Sequence, residues 1–555
     1  MNGKRYTIGV DFGTLSARAV LADVSDGSEV ASSVFEYPHG VMDAVLCKTG
    51  EKLPPLWALQ DPADYLEALR HVLKGVTGAP GVDPQDIIGI GIDFTASTVL
   101  PVFADGTPLC FDGRFSSERN AWVKLWKHHA AQKYATKINE LYAIEGGGWM
   151  DDVGGVISSE SFLPKVWQTL DEAPGVYETA DSFVEACDWI TMQLTGKLVR
   201  SYVIAAYKSC YTDEYGFPPD GFLSKLDPRL CGLFAEKYKG ELVRPGCVAG
   251  YVTAEAAALY GLPEGIPVAA PMPDAHIGGF SVGMESDGDM FGIFGTSNCY
   301  FLTASEKRAV PGICGCVRDG ILPGHYGYEA GLCCFGDHFA WAAKNVITKE
   351  YIDEASGRGI SPLRLLIEKA SKLQPGESGL VALDWWNGNR SILVDGDLSG
   401  LIVGLTLGTR PEHIMRALIE ATAFGTRMIF DNYREHGIDI KRFIAAGGVP
   451  LKDPFTMQLF SDVLGIDIEV SSTKQAPALG DAIHAAAAAG AGRGGYASIE
   501  EAQRRMRPGV AAVYRPDAKA AQTYEQLYRE YRILHDAFGR EADGVMKRLR
   551  RIRMN

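Results

Sequence analysis

Tyr6 to Ala22, Y-T-I-G-V-D-F-G-T-L-S-A-R-A-V-L-A, is the stretch on which the reading of this chain turns. Tyr6 to Val10 is apolar and partly β-branched, as a buried strand is. The run breaks at Asp11 and resumes at Ala19 to Ala22. A Gly-bearing turn between two such runs predicts a β-hairpin. Gly13 lets a backbone approach an anion closely, Thr14 and Ser16 bring hydroxyl donors, and Arg18 brings a charged one. Asp11, at the strand end, cannot bind phosphate directly but can hold a hydrated magnesium ion. A structural hairpin with a solvated arginine is the competing reading, because Gly-rich turns are common.

Outward from this hairpin, helical periodicity spans Asp61 to Val76 and a buried-strand pattern spans Ile87 to Phe94. Strands alternating with helices point to an α/β architecture. Trp122 to Leu194 reads as largely helical and rich in Trp. Near the midpoint the opening pattern returns. Asp289 to Phe294 is strand-like, and G-T-S-N-C-Y follows from Gly295 to Tyr300, so F-G-T occurs at Phe12–Thr14 and again at Phe294–Thr296. Gly295, Thr296 and Ser297 repeat the chemistry of the first turn without its arginine. Two related halves are expected, divided near the polar, Gly-rich Gly283 to Asp289. Two such turns facing each other would enclose a polyphosphate.

A third candidate is F-I-A-A-G-G, Phe443 to Gly448, followed by the helix-like Pro454 to Leu464. Paired glycines at a strand end let a flat ring lie against the backbone, although a tight strand-to-helix turn explains them equally well. Neither G-x-x-x-x-G-K-[ST] nor a G-x-G-x-x-G after a strand occurs, so a nucleotide would be held by another architecture. The small residues of Ala485 to Ala489 read as a tightly packed helix end, and the chain from Ile499 onward reads as helical.

The 555 residues are enough for two or three domains. Lys plus Arg is 54 against 69 Asp plus Glu, a net charge of −15, which argues against a general nucleic-acid binder. Hydrophobic residues are 46% and charged residues 22%, the balance of a globular protein. No signal-peptide-like apolar region precedes Tyr6 and no run of ~18 apolar residues occurs, so a cytoplasmic protein without membrane contact is expected. The 11 Cys are scattered, and the closest pairs, Cys314 with Cys316 and Cys333–Cys334, lack zinc-knuckle spacing. They read as small buried hydrophobes, and no transition-metal site is indicated.

Taken together, D-F-G-T-L-S-A-R, the Asp274 of P-M-P-D-A-H, G-T-S at Gly295–Ser297 and A-A-G-G ending at Gly448 carry a resemblance. G-L-I-V-G-L (Gly400 to Leu405) and H-I-M-R-A-L-I-E (His413 to Glu420) extend it. From Tyr6 to about Gly495 the sequence resembles the FGGY family of carbohydrate kinases, in the actin-like ATPase superfamily. G-I-D-F-T-A-S-T (Gly91 to Thr98), V-K-L-W-K-H-H-A-A (Val123 to Ala131) and L-D-W-W-N-G-N-R-S-I-L-V-D (Leu383 to Asp395) are similar to the members acting on L-ribulose.

The resemblance implies two ribonuclease-H-like α/β domains that clamp ATP and Mg2+ in an interdomain cleft. Residues 1–284 would be the N-terminal, sugar-binding domain, 289–495 the C-terminal, nucleotide-binding domain, and 496–555 a helical extension. Phosphates would lie near Gly13, Thr14, Ser16 and Arg18 and near Gly295, Thr296 and Ser297, with adenosine near Gly447 and Gly448. Asp274 matches the family's catalytic aspartate, a general base for the sugar hydroxyl that, with Asp11, also helps to hold magnesium. Ala96, Lys208 and Glu329 match positions that contact the ketopentose, and Trp126 offers either an apolar wall for the sugar or a core packing residue. The implied activity is ATP-dependent phosphorylation of L-ribulose to L-ribulose 5-phosphate, as in L-arabinose catabolism.

Two departures from the family pattern stand out. Asp453 replaces an Asn common after the lysine of the adenosine segment, and the Lys165–Trp167 region does not match the commoner K-x-x-W signature. The alternatives are a family kinase acting on another ketopentose or a pentitol, and a non-catalytic sugar or nucleotide sensor on the same scaffold. Glycerol is disfavoured, because glycerol kinases carry Arg-Glu where this chain has Thr95–Ala96. Asp274, Asp11 and both G-T turns argue against the sensor. Self-association is left open by the sequence.

Overall fold

The opening run forms the expected strand and carries it further than the break at Asp11 suggests. In the computed structural model, which describes residues 4–541 and 544–554, Tyr6–Phe12 is buried throughout and pairs antiparallel with Ser16–Asp23. Asp11 stands opposite Arg18 and Phe12 opposite Ala17, which leaves Gly13 to Leu15 as the turn. The Gly13 N–H closes it on the Ser16 carbonyl at 3.0 Å.

The first sheet runs Glu29–Glu36, Ser16–Asp23, Tyr6–Phe12, Ile87–Phe94, Pro267–Ala269, Val248–Tyr251. Its first three strands form an antiparallel meander, and Ile87–Phe94 and Pro267–Ala269 then add in parallel. A parallel addition needs a crossover, supplied here by the helix Pro62–Thr77. Asp61 caps that helix by accepting the Ala63 N–H at 2.9 Å, and its buried face includes Tyr65, Leu69, Val72 and Val76. The Trp-rich middle builds a separate core, where Trp57, Trp122, Trp149 and Trp167 pack among the helices Gln132–Glu145 and Phe162–Glu172.

The second sheet repeats this order. Asp289–Phe294 pairs antiparallel with Asn298–Ala304 and parallel with Arg442–Ala446, which pairs parallel with Ile468–Ser471. Tyr326–Leu332 lies beyond Asn298–Ala304 in this sheet, and Gly315–Arg318 lies at its edge. Each half is therefore a ribonuclease-H-like α/β unit, and each F-G-T sits at the first hairpin of its own sheet.

The units are not consecutive along the chain. The chain through Glu285 is joined by Gly315–Gly327 and Gln475–Pro508 in one unit. Ser286–Cys314, Tyr328–Lys474 and the chain from Gly509 form the other. The physical reason lies in small residues. The helix Ala476–Ala489 lies against bare glycine backbone of the first sheet. A Cβ on Gly9 would sit 1.7 Å from the Ala478 carbonyl oxygen, and one on Gly91 2.4 Å from that of Asp481. Thr7 also donates its hydroxyl to the Ala482 carbonyl at 2.8 Å.

The chain beyond Gly495, which reads as helical from Ile499 onward, is not helical throughout. Ile499–Met506 stays with the first unit, whereas Val510–Tyr514 is a strand that closes the second sheet antiparallel to Ile468–Ser471. Pro508–Gly509 and Pro516 bracket this β-branched run and keep it out of a helix. The helix Ala518–Asp536 then buries Tyr524, Tyr528 and Tyr531 in the second unit. Among the described residues no helix is long and apolar enough to cross a membrane.

Candidate active site

Two strands of the first sheet carry the same four-residue pattern and lie on each other in register. G-V-D-F (Gly9–Phe12) pairs with G-I-D-F (Gly91–Phe94), which sets Asp11 beside Asp93 and stacks Phe12 on Phe94 at 4.8 Å. Met272 pairs with Asp93 on the other side, so the chain leaves this row through Pro273 and starts the helix Asp274–Val282. Asp274 is half-buried at the first position of that helix, where the N-terminal dipole favours a carboxylate, and its Oδ1 accepts the Ala275 N–H at 2.7 Å. Asp481 comes in from the helix Ala476–Ala489.

The Asp93 carboxyl lies close to both Asp11 and Asp481, and among the described residues no other group donates to the side-chain oxygens of Asp93 or Asp481. Two carboxylates have no donor between them, so a hydrogen bond within this row requires a proton on one of the pair, and each proton serves a single contact. Burial, followed by the surrounding negative charges, pushes Asp93 well above the usual carboxylate range. Burial does the same to Asp481. Asp11 is raised less because burial is opposed by Arg18, whose Nε lies 3.3 Å from its Oδ2. Asp274 adds its charge to the field felt by Asp93 and Asp481.

The first turn is held from outside. Tyr37 donates its hydroxyl to the Gly13 carbonyl at 3.1 Å, Gln60 donates its amide to the Thr14 carbonyl at 2.7 Å, and the Trp126 indole donates to the Thr14 hydroxyl at 3.1 Å. Trp126 is thus tied to the glycine turn through its N–H. In the second unit, the Gly295 N–H donates to the Ser297 carbonyl at 3.1 Å, and Gly295 and Thr296 are exposed. A Cβ on Gly295 would meet nothing closer than 3.6 Å, so the protein itself leaves that space open.

The paired glycines do different jobs. Gly447 has φ +111°, and a Cβ there would lie 2.7 Å from the Phe294 carbonyl oxygen, so it serves close packing onto the neighbouring strand. Gly448 opens the short helix Gly448–Lys452, and a Cβ there would meet nothing within 4 Å. Asp453, the departure from the family's Asn, caps the helix Pro454–Leu464: its carboxylate accepts the Thr456 N–H at 3.3 Å and the Thr456 hydroxyl at 2.6 Å.

Ala96 lies on the loop that follows Ile87–Phe94, with Ser97 in the left-handed region at φ +62°. A buried lysine holds this loop. Lys165 Nζ donates to the Ser97 carbonyl and, at 2.9 Å, to the Leu125 carbonyl, so one ammonium grips the loops of Ala96 and Trp126. Glu185 accepts the Thr98 N–H at 2.9 Å and supplies the opposite charge. Burial pushes Lys165 down and Glu185 up, each opposed by the other's charge. Lys208, in the last turn of Tyr202–Ser209, adds positive charge near Lys165, and its helix packs on the strand Met272–Pro273. The first unit thus gathers Asp11, Arg18, the first turn, Ala96, Lys208 and Asp274. Gly295, Thr296, Ser297, Gly447, Gly448 and the buried Glu329 of Tyr326–Leu332 belong to the second.

An antiparallel hairpin continued by parallel strands, present twice and with a glycine turn at each hairpin, is the fold of the actin-like sugar-kinase class of phosphotransferases. The crystal structure of xylulose kinase from Rhodospirillum rubrum shares it, with a TM-score of 0.76 at 23% identity over 96% of this chain and 99% of that one. Residues 6–281 match the family model described as the N-terminal domain of the FGGY family of carbohydrate kinases, and 290–489 match its C-terminal domain. The chain belongs to the FGGY family of carbohydrate kinases. It is 48% identical to the ribulokinase of Halalkalibacterium halodurans, over 99% of this chain and 98% of that protein. It is 47% identical to the ribulokinase of Geobacillus thermodenitrificans, over 99% and 97% respectively.

Proposed function

We propose that this enzyme transfers the γ-phosphoryl group of ATP to the 5-hydroxyl of L-ribulose. The observation that carries the reading is the end-to-end similarity to ribulokinases together with retention of Asp274 at a helix start beside the carboxylate row. Phosphoryl transfer needs positioning and charge stabilisation more than covalent chemistry, with a carboxylate to take the hydroxyl proton. Asp274 is that base. Ala96, Lys208 and Glu329 orient the sugar, with Lys208 also offsetting developing negative charge.

The glycine turns receive the phosphates of the substrate ATP through Gly13, Thr14, Ser16 and Arg18 and through Gly295, Thr296 and Ser297. Open space at Gly295 and at Gly448 suits a close-lying phosphate and adenosine, with Gly447 shaping the same corner. A hard divalent cation fits the first unit, because Asp11 and Asp274 present oxygen ligands in a field of converging carboxyls. Mg2+ held there would neutralise phosphate charge. A purified-enzyme comparison of L-ribulose, xylulose, ribitol and glycerol with ATP tests the substrate: the highest kcat/KM is expected for L-ribulose. A clear preference for xylulose or ribitol would replace it.

A further inference from the structure

The sequence shows no transition-metal spacing, yet His39, Cys47 and Asp61 of the first unit converge. His39 Nδ1 lies 2.8 Å from Asp64 Oδ1 and 3.7 Å from Asp61 Oδ2. Cys47 completes the group, in which one ligand atom each from His39, Cys47 and Asp61 lies within 4.8 Å of the others. A tetrahedral zinc with bonds of about 2.0–2.3 Å has edges of roughly 3.3–3.6 Å between its ligand atoms. The His39–Asp61 separation of 3.7 Å is close to that value, while the 2.8 Å contact is a hydrogen bond that orients the imidazole on Asp64. Small rotations of the two exposed side chains, His39 and Cys47, would close the rest.

The framework behind these donors is fixed. Asp61 is anchored as a helix cap through its Oδ1 on the Ala63 N–H, which leaves Oδ2 turned toward His39 at a separation too long for a hydrogen bond. Asp64 is buried and accepts the His39 backbone N–H at 3.0 Å, so the imidazole is positioned by its own main chain. Cys47 follows Leu46, which is buried and bonds Glu51 across a tight loop at 2.8 Å. Imidazole, thiol and one carboxylate form a three-ligand donor set for a zinc-class ion that leaves a position for water; magnesium, by contrast, prefers oxygen ligands and retained water.

We propose that His39, Cys47 and Asp61, with Asp64 hydrogen-bonded to the imidazole, form a three-residue binding site for a zinc-class divalent cation, separate from the magnesium-binding carboxylates. An ion there would release the thiol proton and clip the 39–47 segment to the start of Pro62–Thr77. Asp61 follows Gln60, which holds Thr14, so the clip would border the support of the first turn without entering it.

The test is a Co2+ titration of the EDTA-treated full-length protein in the presence of excess Mg2+. One saturating equivalent is expected, with a near-ultraviolet thiolate-to-cobalt charge-transfer band and tetrahedral-type visible bands. Cys47→Ser should abolish the charge-transfer band, and His39→Ala should weaken binding at least ~10-fold. Asp61→Asn, which keeps a capping oxygen, should weaken binding while the protein stays folded. Zn2+ should raise the melting temperature of the wild type and not that of His39→Ala. No charge-transfer band at one equivalent, or a band unchanged in Cys47→Ser, would overturn the site, since Cys231 and Cys247 are also exposed thiols.

Discussion

Asp11 and Asp93 stand side by side on parallel strands, each the third residue of a G-x-D-F run laid in register on the other. Their carboxyls are alike in sequence context and unlike in role. Asp11 also faces Arg18, while Asp93 is fully buried beside two other carboxyls, and burial and their charge hold it well above the usual carboxylate range.

Asp93→Asn keeps nearly the same shape beside those carboxyls and supplies an amide donor. We expect a folded enzyme with an almost unchanged Mg2+ requirement. Asp11→Asn removes an oxygen ligand and should raise the half-saturating Mg2+ by at least ~10-fold, the scale seen when the shell of a metal site is altered. Initial rates against Mg2+ concentration decide this, and equal shifts in the two variants would contradict the assignment.

Lys165→Met should release the loops of Ala96 and Trp126. Misplacement of about 1 Å at a reacting substrate costs up to ~100-fold, so kcat/KM for the sugar should fall by roughly 10- to 100-fold while KM for ATP changes little. The same change removes the leading positive charge acting on the buried Glu185 and leaves the weaker pull of Arg200, so stability should fall. The double variant Lys165→Met/Glu185→Gln should recover much of that stability in urea unfolding without recovering sugar affinity.

The glycines of the nucleotide corner should separate by measurement. Gly295→Val places its side chain in space the protein leaves open, so the melting temperature should hold while calorimetry shows weakened ATP binding. Gly447→Ala forces a Cβ to 2.7 Å from the Phe294 carbonyl oxygen at φ +111°, so stability itself should fall. Unchanged ATP affinity in folded Gly295→Val would remove that turn from the site.

Asp384 gives a pH signature within the second unit. Burial raises its carboxyl to about 6, opposed by the Tyr531 hydroxyl donating at 2.6 Å. The folded protein therefore keeps a proton that the unfolded chain has already lost above its ordinary value of 3.8. The stabilisation is full below that value and disappears as pH rises through about 6, with a slope of up to ~1.4 kcal/mol per pH unit. Asp384→Asn should remove this component, so the stability difference between variant and wild type should grow in the variant's favour from about pH 4 to about pH 7.

The hairpin at Tyr6, the strand Ile87–Phe94 and the duplicated F-G-T were legible because hydrophobic period and turn residues are local properties. The second G-x-D-F was equally visible and would have pointed to Asp93. Asp481 was not, because it reaches the row only through close packing of Ala476–Ala489 on Gly9 and Gly91, a contact across most of the chain. Lys165 escaped for a related reason: its partners are main-chain carbonyls at Ser97 and Leu125, which leave no trace in side-chain spacing. His39, Cys47 and Asp61 follow no regular interval, so only the folded loop brings them together.

The most direct test of the account is the turnover of Asp274→Asn with L-ribulose and ATP, measured beside calorimetric ATP binding. Loss of a positioned general base should lower kcat by at least ~100-fold. ATP affinity should stay close to that of the wild type, because the adenosine corner at Gly447 and Gly448 is untouched. Near-normal turnover in the folded variant would contradict the assignment of Asp274 as the base that takes the sugar's proton.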